Sequence, residues 1–176
     1  MKRVSRRAVL GGVGAALLAA AGGVAVVRTR GYEVPADVAG RLRVLAPWQW
    51  VVLAAAARRI AAPDVDDGSV PTADDVGVAT FLDSYLGNLP DPMQRDFLRL
   101  LAFLEHLAPL GQKLTSRFSR LGAADQDRVL ASLEASDQGL LRGGFDGLKS
   151  LVFMGYYRDP RTWKILGYAG PFVRNG

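Results

Sequence analysis

The chain has 176 residues, 49% of them hydrophobic and 22% charged, with no cysteine, one histidine and a formal net charge of +5. That length suits a single domain with its own core. The absence of cysteine excludes disulfides, thiolate metal sites, iron–sulfur clusters and a thiol nucleophile, and the lone histidine excludes a His-pair metal site.

The basic excess sits at the start of the chain. Lys2, Arg3, Arg6 and Arg7 all precede the first acidic residue, Glu33, and without them 18 basic residues face 17 acidic ones. A nearly neutral remainder of mixed sign lacks the concentrated basic face that nucleic-acid binding needs. Residues 8–27 then carry no charge at all. The junction, Ser5-Arg6-Arg7-Ala8-Val9-Leu10, resembles the bacterial twin-arginine export signal, with Val9 where that motif favours Phe. Alanine and glycine dilute the apolar run, which suits a twin-arginine signal better than a leucine-rich secretory one. A run of about 20 apolar residues also spans a bilayer, so the sequence admits a cleaved signal or a retained anchor. Both place the C-terminal domain outside the cytoplasm, in the periplasm or on the extracytoplasmic membrane face. Gly12-Val13-Gly14 is no nucleotide loop, because a terminus and two arginines stand where a strand is required.

Residues 28–46, with Gly31, Pro35 and Gly40, read as a linker or extended arm. Pro47 is a favoured first helical residue, and the Ala- and Leu-rich stretch 48–62 reads as a helix that Pro63 ends. Residues 64–71 form a turn-rich loop. Its aspartates invite a calcium reading, but counting from Asp64 puts Gly68 and Ser69 at the fifth and sixth positions, and the register fails. Thr72 and Asp75 instead have the spacing of a capping box at the head of a helix carrying Val76, Ala79, Phe81, Leu82, Tyr85 and Leu86. Asp91-Pro92 restarts a helix, the clearest in the chain, with Phe97, Leu100, Leu101, Leu104 and Leu107 on one stripe. Further helices are expected over 125–135 and 138–157, with a short turn from Asp159-Pro160 to Leu166. No convincing strand pattern occurs. The expected fold is all-α, a small bundle of about five helices over 47–176, preceded by the signal or anchor helix.

Acid–base candidates are few. Glu105 and His106 are neighbours that point about 100° apart on a helix and form no dyad, and His106 reads as structural near a helix C-terminus. Trp48, Trp50 and Trp163 suit core or interface positions. The helix over 138–157 holds Gly139, Gly143 and Gly147, each costing about 1 kcal/mol relative to alanine. Close approach of another backbone would offset that cost. This glycine face, with Tyr156, Tyr157 and Trp163, is the expected partner interface, the alternative being that these residues pack only against the chain's own helices.

Three groups of residues carry a family resemblance: the 48–63 helix ending in proline; Pro71-Thr72-Ala73-Asp74-Asp75-Val76-Gly77-Val78 leading to Phe81-Leu82-Asp83; and Tyr156-Tyr157-Arg158-Asp159-Pro160 through Leu166-Gly167-Tyr168. In this order, over about residues 47–170, the chain resembles the gluconate 2-dehydrogenase subunit 3 family. The resemblance implies a non-catalytic small subunit without a cofactor of its own. Its partner would be a large FAD-binding oxidoreductase of the glucose–methanol–choline type, in some complexes with a cytochrome subunit. The small subunit would assist folding and carry its partner to the twin-arginine translocase. Without cysteine the contact between subunits is noncovalent. A membrane-anchored helical binding module with no oxidoreductase partner is the alternative.

Overall fold

The structure is a computed structural model that describes residues 31–63 and 68–170. The export motif Ser5, Arg6, Arg7, Val9 and Leu10, the expected signal or anchor helix, and part of the aspartate-rich loop lie outside these residues. The chain divides into two units, Met1–Tyr32 and Glu33–Gly176, and every helix among the described residues belongs to the second.

The second unit is helical, with no strand among its described residues. A short helix, α1 (Ala36–Ala39), precedes the central one, α2 (Pro47–Ile60). Pro47 opens α2, and the Gln49 side chain accepts the backbone N–H of Ala46 at 2.8 Å, which satisfies a donor that a helix start leaves free. Every residue from Val52 to Ala57 is buried. A helix apolar on all sides must be enclosed by others, and α2 is packed against each of the longer helices. Its four consecutive alanines, Ala54 to Ala57, let those neighbours come close.

Around α2 stand α3 (Val78–Leu86), α4 (Asp91–His106) with a one-turn continuation α5 (Ala108–Gly111), α6 (Ala123–Glu134) and α7 (Gly139–Tyr157). Two 3-10 turns complete the unit, η1 (Phe118–Arg120) and η2 (Pro160–Leu166). The bundle expected from the sequence is present. The Thr72–Asp75 capping box also forms: Asp75 Oδ2 accepts the Thr72 N–H at 2.9 Å, and Thr72 Oγ1 accepts the Asp75 N–H at 3.2 Å. Donation by the Thr72 hydroxyl and N–H holds the Asp75 carboxyl below its usual range. It caps only a turn, however. Gly77 adopts a left-handed φ of 69°, a conformation glycine accepts without steric cost, and the helix proper begins one residue later.

The arm before α2 is fixed at its end. Asp83, 2% exposed on α3, accepts three consecutive backbone N–H groups, from Arg43 at 2.7 Å, Val44 at 3.0 Å and Leu45 at 2.8 Å. Leu45 is buried beside it. At the other end, α7 closes on α3. The Tyr156 hydroxyl donates to the Pro71 carbonyl at 2.8 Å, and Arg158 donates to the Val76 carbonyl at 2.8 Å while lying 4.6 Å over the Phe81 ring.

Candidate functional site

Helices α4 and α7 bound an apolar groove of about 780 Å³ on the surface of the unit. The periodicity of each helix explains its walls. On α4 the Phe97, Leu101 and Leu104 edge is buried, and the adjoining Met93, Leu100 and Phe103 form one wall of the groove. On α7 Phe145, Leu148 and Val152 face inward, while Gly139, Gly143 and Gly147 line the other wall. The two helices meet at Gly144, where a Cβ would stand 3.3 Å from a Leu100 methyl.

The three glycines expected at an interface thus share one open face. A Cβ on any of them would meet nothing within 4 Å, so the chain's own packing does not require them. The internal close approach is made elsewhere, at Gly155, where a Cβ would stand 3.1 Å from Val78 and 3.2 Å from Phe81. The sequence reading missed Gly155, which keeps the four-residue register of the other three but is separated from them by Leu151.

The aromatic residues expected on the same surface do not join that face. Tyr156 is 1% exposed and follows Gly147 by nine residues, which puts it roughly 180° round the helix. Burial raises its hydroxyl pKa. It is a core residue bonded to Pro71, and it leaves the expected interface for that reason. Tyr157 and Trp163 are half-buried and are brought together, the indole N–H donating to the Tyr157 carbonyl at 2.7 Å. They form a second, smaller cluster with Tyr168, whose ring lies 5.2 Å from that of Trp163. The turn beneath it is held by Asp159, whose carboxyl is brought down to about 2 by bonds from the Arg161 guanidinium and backbone N–H.

Sequence reasoning also missed the large apolar side chains at the mouth of the groove. Leu140 is 88% exposed and Met93 56% exposed. The signal for Leu140 was available: an unneeded leucine beside the first glycine of the stripe. The charged residues of the lining, Asp96 and Arg99, are bonded to each other at 2.9 Å. The groove therefore offers an apolar wall without net charge, a poor match to the pyrophosphate of a dinucleotide.

Away from the groove, Glu105 and His106 part company as expected. Glu105 is fully buried, with Arg117 Nε at 3.5 Å from Oε1, and it accepts the Ser119 N–H at 2.9 Å and the Ser119 hydroxyl at 2.7 Å. The half-buried His106 ring lies 5.6 Å from that of Trp48. Trp50 donates to the Thr80 hydroxyl at 3.3 Å. Among the described residues no group of three or more His, Asp or Glu could hold a metal ion, and no helix is long and apolar enough to cross a membrane.

Searches of the curated proteins and of the solved structures return no match. Residues 47–170 match the family profile described as gluconate 2-dehydrogenase subunit 3. That span runs from the first residue of α2 past the end of η2 and takes in both walls of the groove, so it covers the whole helical bundle rather than one motif. The chain belongs to the gluconate 2-dehydrogenase subunit 3 family.

Proposed function

We propose that this chain is the non-catalytic accessory subunit of a large, flavin-dependent oxidoreductase of the glucose–methanol–choline type, and that it assists the partner's folding and carries it out of the cytoplasm by the twin-arginine route. The observation that carries this reading is family membership across the whole bundle. The Ser5-Arg6-Arg7 motif ahead of an uncharged run supplies the export half of it. FAD belongs to the partner in this reading, and a cytochrome subunit, where present, takes the electrons.

The route is tested by Arg6→Lys with Arg7→Lys, which keeps charge and hydrophobicity and removes only the arginine pair. Both this chain and the oxidoreductase are then expected to accumulate in the cytoplasm, read by fractionation and by dehydrogenase activity outside the cytoplasm. Export at the wild-type level would overturn the twin-arginine assignment. The division of labour is tested by purifying the full chain alone. It is expected to be colourless and without dehydrogenase turnover, whereas the complex shows flavin absorbance. Turnover by the isolated chain sinks the accessory role, and an absent oxidoreductase in purifications of the tagged chain favours the anchored binding module.

A further inference from the structure

We infer that the cavity between the arm and α3 binds a singly charged carboxylate, with Arg158 as its anchor. The cavity holds about 380 Å³ and shares no residue with the groove between α4 and α7. Its size lies within the range of small-ligand sites. Asp37 and Arg41 bound it on the arm, Thr80, Phe81 and Ser84 on α3, and Arg158 just past the end of α7. Donors there outnumber acceptors. Ser84 is half-buried, and its hydroxyl bonds to no other described residue. The Thr80 hydroxyl accepts the Trp50 indole N–H and keeps its own proton to give. Arg158 commits one nitrogen to the Val76 carbonyl and enters no ion pair among the described residues, so most of its five N–H groups remain. The one carboxylate on the lining, Asp37, stands 3.7 Å from the Arg41 guanidinium.

Charge then selects the ligand. With Asp37 and Arg41 set against each other, the lining keeps one positive charge, that of Arg158. The acids of the neighbouring turns are committed elsewhere: Asp159 to Arg161, Asp75 to Thr72, and Asp83 to the backbone of the arm. One guanidinium edge takes one carboxylate through two parallel N–H bonds, and the two hydroxyls suit a group that only accepts. A phosphate dianion would be left half-neutralised. The anchor is also preorganised. Arg158 is held 4.6 Å over the Phe81 ring and tied to the Val76 carbonyl at 2.8 Å, so it has little rotamer freedom to lose when it binds.

The test titrates the full chain with sodium acetate, and in parallel with sodium chloride at matched ionic strength, following the arginine Nε–H signals by NMR. The Arg158 signal is expected to move saturably with acetate alone. Ser84→Ala removes a hydroxyl that the fold does not use, so the melting temperature is expected to hold while acetate affinity falls about tenfold. Asp37→Asn, at an exposed position, is expected to tighten acetate about two- to fivefold by removing a competing negative charge. Arg158→Lys keeps the charge, loses the fork and is expected to abolish saturation. An arginine with a structural role alone would register none of these changes in acetate binding. Equal responses to acetate and chloride overturn the site, as does a Ser84→Ala chain that binds acetate like wild type. Saturation by inorganic phosphate at lower concentration than acetate also overturns it, in favour of a dianion. The source of the carboxylate is read by phenylglyoxal labelling of arginines in the complex with the large subunit, an arm that alone rests on the accessory-subunit reading. Arg158 shielded there identifies an acidic side chain of the partner, and Arg158 still open to the reagent identifies a free organic acid; the carboxylate site stands in both cases. Loss of acetate binding removes the site and leaves the accessory role standing.

Discussion

Asp83→Ala is expected to be among the most damaging single changes in the bundle, at about 3–5 kcal/mol, since each bond to a charged group contributes about 1.5–3 kcal/mol and the three are not additive. The alanine leaves the N–H groups of Arg43, Val44 and Leu45 without their acceptor at a position that is 2% exposed. For a domain of this size that is on the order of 10–20 °C in melting temperature. Asp83→Asn is expected to fall between the two. Its single carbonyl oxygen can serve Val44 and Leu45, which share Oδ1, while its amide faces the Arg43 N–H donor to donor. Thermal melts of the three proteins check the order, and limited proteolysis locates the effect, since the arm before α2 is expected to become the first site cut. Equal melts for wild type and Asp83→Ala would show that the arm contributes nothing to the fold.

Arg117→Met is expected to cost about 3–5 kcal/mol, the usual consequence of leaving one member of a buried ion pair behind. The Glu105 side chain is 0% exposed and that of Arg117 6% exposed, so the remaining carboxylate cannot turn to water. The double variant Glu105→Gln with Arg117→Met is expected to recover a large part of the loss, because it removes both charges while Gln keeps an acceptor for Ser119. Urea unfolding of the two singles and the double separates the coupling from its parts. A single variant within about 1 kcal/mol of wild type would mean that the pair contributes little.

The elements that sequence reading placed well are those where one local signal settles the matter. Pro47 and Pro92 mark helix starts, and Phe97, Leu101 and Leu104 repeat at helical spacing down to the buried side of α4. Leu107, on the same expected stripe, is 56% exposed, because α4 ends at His106 and the chain turns into α5. Other failures share that origin in tertiary context. Gly77 takes a left-handed φ that shortens the helix after the capping box, which composition alone does not announce. Asp83 stands on the face shared by Ala79, Leu82 and Leu86, and a carboxylate on an apolar stripe was a legible sign of a buried acceptor. Its donors lie about 40 positions upstream, and nothing local identifies them. For the candidate site, the spacing of Gly139, Gly143 and Gly147 located one wall. The other wall, on α4, could not be paired with it, since which helices flank each other is a property of the bundle.

The bonds that close this bundle also impose an order in time. Arg43 to Leu45 leave the ribosome well before Asp83, at ordinary synthesis rates by a delay on the order of seconds. Through that interval the segment joining the N-terminal residues to the bundle has no carboxylate to hold it. The bonds from Tyr156 and Arg158 back to Pro71 and Val76 reach across 85 and 82 positions, so α3 is clamped only after almost the whole chain has been made. Contacts this distant in sequence form late in folding. The arm before α2 is thus made before the acceptor that holds it, and the clamp from α7 onto Pro71 and Val76 is the later of the two closures.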